Sequence, residues 1–362
     1  MSASRTVELV SRLTTLDIHD WSEPMEVGPT EVAEVLASAT HEGLVCLLGA
    51  AIDRSLVLVD DRSAEMVLHA WTELMARSVQ LDLLLLEVSE RLAAAGVASR
   101  VLKGVAVASL DERDAAWRSY NDVDVLVPSG CLLAAADALA PLGLHPATPP
   151  LRRGWAGRYA KGLTLLHESG AQVDLHRLLA TGPLGTRVRS ECLFERGRPL
   201  RVGTVTLTAL ADEHRFLHAC YHAALGGIRG ARHRRDILLL ASTVAPDVVM
   251  AQIVDGWSPA VVRSAVRWAG ADEGLPAAWA QWLADVECDP ADDELLTHRP
   301  ATFGERSLVE LRSLHGPVER LRFAAGLAWP SRSHLRSRDL GRLQYLRRLG
   351  RLRPSSGSAG SS

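Results

Sequence analysis

Apolar residues along this chain follow two rhythms. Across residues 30–96 they recur at helical spacing, in two short segments at 31–39 and 41–52 and a longer one at 64–96. Met66, Leu68, Trp71, Leu74, Met75 and Val79 carry the longer pattern, and Gly96 is a natural stop. No heptad seam persists, so the pattern predicts packed helices rather than a coiled coil. The rhythm then shortens. Residues 99–103 read as a short strand running into a helix at 104–110, and 122–127 as a strand closed by Pro128-Ser129-Gly130. An alanine-rich helix at 131–140 ends at Pro141 and Gly143. Residues 163–168 and 172–176 read as a hairpin with Ser169-Gly170 at its turn. A further strand is expected at 202–207. Helical spacing then returns at 211–225, 232–244, 258–269, 275–286 and 318–328.

The expected fold class is therefore α+β, a small mixed sheet with helices flanked by helical regions. The expected divisions are a helical region at 1–96, an α/β core at 97–210, a helical domain at 211–353 and a disordered tail at 354–362. Residues 331–353 carry eight arginines and one acid, Asp339, threaded by Leu335, Leu340, Leu343, Leu346, Leu349 and Leu352. This reads either as a basic amphipathic helix for an RNA, membrane-surface or acidic partner, or as a solvated arginine face on a docked helix.

Composition narrows the class. The 362 residues are 47% hydrophobic and 23% charged, with a net charge of −3, so no global field marks a nucleic-acid binder. No apolar run is long enough for a transmembrane segment, and the N-terminus lacks the apolar core of a signal peptide. Five scattered cysteines, with no CxxC pair, argue against a disulfide framework or a zinc-thiolate site and for a reducing, cytoplasmic setting. Of 40 basic residues all but Lys103 and Lys161 are arginine. A lysine is hard to replace where a compact point charge must fit beside a phosphate; chance survival is the alternative.

The chemistry concentrates in Asn121-Asp122-Val123-Asp124-Val125-Leu126-Val127. Strand residues i and i+2 share a face, so Asp122 and Asp124 would stand side by side and could share a divalent cation. Alternatively, Asp122 caps a turn and only Asp124 is in the strand. Asp174 lies in a second apolar strand, where an unpaired carboxylate is out of place. Gly104, after Lys103, would admit a phosphate to a helix N-terminus. Arg118 could neutralise phosphate or orient the carboxylates, and Lys161 could reach a phosphate. Three strand-borne aspartates behind a helix opened by glycine suit two-metal phosphoryl transfer. His214, His218 and His222 share one helix face, either as a transition-metal site that Asp236 joins or with His218 or His222 lining the cleft. His176 points to the same strand face as Asp174. Trp117 and Trp155 could stack on a base or belong to the core. There is no Walker-A loop, GxGxxG or GxSxG, against a P-loop NTPase, a Rossmann enzyme or an α/β-hydrolase.

The ordered set Leu102-Lys103-Gly104, Arg118, Asp122-Val123-Asp124 and Val173-Asp174-Leu175-His176 resembles the uncharacterised nucleotidyltransferase family of bacteria, in the polymerase-β-like superfamily. The likeness continues through His218-Ala219-Cys220-Tyr221-His222 and Arg235-Asp236-Ile237 to Trp329-Pro330. It implies a nucleotidyltransferase-like sheet, Mg2+ or Mn2+ on Asp122, Asp124 and Asp174, and triphosphate contacts from Lys103 and Gly104. It also implies transfer of a nucleoside monophosphate from an NTP such as ATP to an unknown acceptor, with pyrophosphate released. The acceptor would be a small molecule, a peptide or protein, or RNA. One departure is Val105, where the superfamily usually has serine. The alternatives are a catalytically degenerate nucleotide- or protein-binding module, or an RNA-binding protein led by residues 331–353.

Overall fold

The structure is a computed structural model and describes residues 3–350 except 22, 228–229, 272–273, 298–301 and 315. The expected tail at 354–362, and the end of the basic segment at 351–353, lie outside the described residues. Strands β1 (Met25–Glu26) and β2 (Val57–Leu58) pair in parallel near the N-terminus. Seven more form one mixed sheet: β3 (Arg100–Val101), β4 (Val123–Leu126), β5 (His145–Pro146), β6 (Gly162–Leu166), β7 (Gln172–His176), β8 (Arg198–Val202) and β9 (Val205–Ala209). Their order is β5-β6-β7-β4-β3-β9-β8. β4 lies in the middle, and its apolar run accounts for that: Val123, Val125 and Leu126 are all buried, as a strand covered on both faces requires.

The hairpin expected at 163–176 forms, with β6 antiparallel to β7 and Leu165 opposite Val173. β7 then runs parallel to β4, pairing Asp124 with Asp174 and Leu126 with His176. That register places two carboxylates from distant sequence on neighbouring strands. One strand expectation is corrected. Residues 202–207 are strand but not one strand: Val202 ends β8 and 205–207 open β9, because Gly203, at φ 59°, takes the left-handed conformation and reverses the chain between them.

The helix expected at 64–96 runs Asp61–Ala94, opened by Asp60, whose carboxylate accepts the Ser63 N–H at 3.0 Å. It bridges two of three buried clusters. Val67, Trp71 and Leu74 join the N-terminal helices, whereas Leu81, Leu85, Val88 and Leu92 pack on the sheet. A third cluster gathers the helices Asp212–Gly226, Ala231–Thr243 and Pro259–Ala269. The basic segment is not one continuous helix. Arg332–Ser337 and Arg342–Leu349 are separate, broken where Asp339 adopts φ 49°. No single helix among the described residues is long and apolar enough to cross a membrane.

Candidate active site

β3 delivers the chain to the helix Lys103–Leu110, whose first turn opens onto a cleft of about 320 Å3. Lys103, Gly104, Arg118, Asp122, Asp124, His218, His222 and Asp236 all line it, so eight of the residues singled out in the sequence meet in one place. The structure adds detail to each. Asp122 precedes β4 and Asp124 lies within it, so the alternative reading of Asp122, outside the strand, is the one observed. Burial and the like charge of Asp124 push Asp122 up to about 6.

Asp124 is almost fully enclosed. Burial penalises its charge, yet His176 Nε2 donates to its Oδ1 at 2.6 Å and Lys103 Nζ at 2.7 Å. These two donors hold the carboxyl well below the usual carboxylate range. Asp174, its neighbour across the β4–β7 ladder, has one oxygen accepting from Gln172 Nε2 at 3.3 Å and the other, Oδ1, buried without a partner among the described residues. Ligand atoms of Asp124, Asp174 and His176 lie within 4.8 Å of one another. Three ligating side chains, one of them with an unsatisfied carboxylate oxygen, fit a divalent cation.

Lys103 holds φ 42°, unusual for a residue with a side chain, at the point where strand gives way to helix. Gly104 serves a purpose the sequence did not reveal. A Cβ there would come within 2.5 Å of the Tyr120 Cβ, so the missing side chain lets Tyr120 close against the helix. Val105 is buried, facing the core beneath the sheet rather than the cleft. Lys161 stands just before β6; burial and Lys103 lower its pKa, opposed by Asp124 and Asp174.

The family model described as uncharacterised nucleotidyltransferase matches residues 28–258. The chain belongs to that family. Two solved structures resemble this nucleotidyltransferase. One is the solution structure of the antibiotic-resistance factor ANT(2'')-Ia, 11% identical, with TM-score 0.35, covering 49% of this chain and 91% of that one. The other is an antigenic nucleotidyltransferase-like protein from Paracoccidioides brasiliensis, 11% identical, with TM-score 0.31, covering 55% and 96%. At those scores neither likeness bears on the chemistry. No curated protein matches the chain.

Several residues expected at the site are arranged differently from what the sequence suggests. Arg118 is committed to Asp236 by two parallel hydrogen bonds, one of 2.9 Å, which ties the segment leading into β4 to the helix Ala231–Thr243. The three histidines on one helix face part company. His214 hydrogen-bonds Gln252 at 3.2 Å and stacks on Trp257, a structural role. His218 and His222 turn to the cleft, their rings 6.3 Å apart, and burial depresses both; Lys103 and neighbouring cations help to bring His222 to about 3. Asp236 is paired with Arg118 rather than joined to them. Trp117 is buried in the N-terminal cluster and Trp155 faces a different cavity, so neither lines the cleft.

Three basic side chains of the cleft were not singled out from the sequence: Arg215, Arg232 and His233. Arg232 differs from Arg118 in having no carboxylate partner among the described residues. Its Nη2 reaches only the Gly43 carbonyl at 3.3 Å, and its buried Nε is unpartnered. Burial, with Arg118 beside it, lowers its pKa to about 10. A signal was present. Arg232 to Asp236 are five consecutive polar residues opening a helix that continues as Ile237-Leu238-Leu239-Leu240. Such a cluster on a core helix marks the end that faces something polar.

Proposed function

We infer that the cleft binds a nucleoside triphosphate with Mg2+ or Mn2+ and transfers the nucleoside monophosphate to a hydroxyl or phosphate acceptor. The observation that carries this reading is the in-register pairing of Asp124 with Asp174, which leaves the Asp174 Oδ1 buried and unpartnered beside two further ligand atoms. Asp124, Asp174 and His176 would hold the cation, with Asp122 at the rim as the further carboxylate. When bound, the cation would neutralise these charges and polarise phosphoryl oxygens.

The chain's own residues supply the rest. Lys103 releases Asp124 and turns to the triphosphate, joined by Arg232, whose guanidinium has no carboxylate to hold it. Arg118, fixed by Asp236, positions the wall rather than gripping phosphate. The acceptor oxygen forms a bond to the α-phosphorus as the bond to pyrophosphate breaks, and Asp174 takes the acceptor's proton. His218 and His222, kept neutral by burial, leave that wall uncharged toward a base or acceptor.

The test is metal-dependent pyrophosphate release from each NTP, with candidate acceptors, by the wild type and Asp122→Asn. The variant should lose turnover while unfolding at or above the wild-type temperature, because it removes like-charge repulsion from the empty cleft. A fully active Asp122→Asn protein would sink the assignment.

A further inference from the structure

A second cavity, of about 580 Å3, lies apart from the cleft, between the start of β6 and the C-terminal helices. Its floor is apolar and closely built. Trp155 contacts Phe323 at a centroid distance of 4.9 Å and lies so tight on Gly326 that a Cβ there would come within 2.0 Å of the indole. Glu319 accepts from Arg158 Nε at 2.7 Å and from the Tyr159 hydroxyl at 2.9 Å, clamping the helix Pro317–Ala328 over this floor. On the far side, Ser331 N–H donates to the Leu151 carbonyl at 2.7 Å and His334 Nδ1 to the Pro149 carbonyl at 3.0 Å. The walls are therefore fixed at both ends.

Two further observations point to an occupant. Among the described residues the charged lining is lopsided: Arg306, Arg338 and Arg348, with His334, stand against a single carboxylate, Glu310. Tyr345, which also lines the cavity, is 4% exposed, yet its hydroxyl has no hydrogen-bond partner among the described residues. A buried hydroxyl without a partner is costly, and a ligand oxygen would relieve it. Size, apolar floor and a few convergent polar groups are the marks of a small-molecule pocket.

We propose that this cavity binds a small amphipathic acid, an apolar body lying on Trp155 and Phe323 with an anionic group held by Arg306, Arg338 and the Tyr345 hydroxyl. The site is separate from nucleotidyl transfer and stands whether or not the cleft is active.

The probe is 1-anilinonaphthalene-8-sulfonate, titrated by fluorescence against the full chain, beside N-phenyl-1-naphthylamine, which lacks the sulfonate. The expected result is saturable one-to-one binding of the sulfonate, at least tenfold tighter than the neutral twin and unaffected by ATP with Mn2+. Arg306→Glu/Arg338→Glu, both at exposed positions, should weaken it at least tenfold, and Tyr345→Phe severalfold. Equal affinity for the two probes, unchanged affinity in the charge-reversal variant, or displacement by ATP would each overturn the proposal.

Discussion

Two groups of buried charge meet at the cleft, and they are built on opposite principles. On the helical side, three arginines are matched to carboxylates, and Arg232 is the exception. Arg235 donates to Glu112 through Nε at 2.8 Å and Nη2 at 2.5 Å, and to the Thr14 and Leu16 carbonyls. Arg215 grips Asp111 at 2.6 and 3.2 Å, and Arg118 grips Asp236. On the sheet side, Asp122, Asp124 and Asp174 outnumber the cations that touch them, and one carboxylate oxygen is left without a partner. Matched charges fix how elements dock. Unmatched ones store an electrostatic conflict that a ligand can resolve.

The comparison is broken most severely on the matched side. Arg235→Leu leaves Glu112 buried without its counter-charge and should cost about 3–5 kcal/mol, read from urea unfolding as a lower midpoint at constant slope. A loss below about 1 kcal/mol would mean that the pair is incidental.

On the unmatched side the effect should come from the ligand. At one hundred times its dissociation constant, Mn2+ should stabilise the wild type by about 2.7 kcal/mol. Asp124→Asn/Asp174→Asn should show no such gain. Because His176 brings an imidazole to the cluster, Mn2+ should bind more tightly than Mg2+, and His176→Gln should narrow the gap. Equal affinities in the wild type would remove His176 from the ligand set.

Acid sharpens the contrast by charging a group that the fold keeps neutral. The folded pKa of His222, about 3, lies below its ordinary 6.5, so the unfolded chain binds the extra proton first. Its contribution is complete well above pH 6.5 and is lost as pH falls toward 3, by about 1 kcal/mol between 6.5 and 5.5. His222→Gln should flatten that slope in thermal melts.

The smallest effect concerns an intermediate case. Asp82 accepts from the Tyr120 hydroxyl at 2.5 Å, but burial still raises its pKa. A raised folded pKa favours the protonated form, so that stabilisation is lost as pH rises through it, and at pH 7 the charge is a net cost. Asp82→Asn should raise Tm by only about 1–2 °C, since water screens the exposed part of the group.

How much of this was legible in the sequence follows the same division. The carboxylate strands were readable because alternation within an apolar run is a local signal, and Asp174 stood out as a charge where β7 needed none. The matched side was not. Arg235 with Glu112, and Arg118 with Asp236, join residues more than a hundred positions apart, and their pairing depends on how helices dock. Nothing local tells His214, turned toward Gln252, from His218, turned toward the cleft. The Gly203 reversal was missed because Val202 to Leu207 keeps its β-branched character through the turn. The packing of Gly104 on Tyr120 was not readable either, because it too depends on a contact across the fold.

The central claim is that the unmatched carboxylates form a metal-dependent nucleotide site. Calorimetry of each NTP with the wild type and Asp122→Asn/Asp124→Asn, with and without Mn2+, tests it directly. The account predicts binding by the wild type that needs the metal and is lost in the double variant. Metal-independent binding of equal strength in both proteins would contradict it.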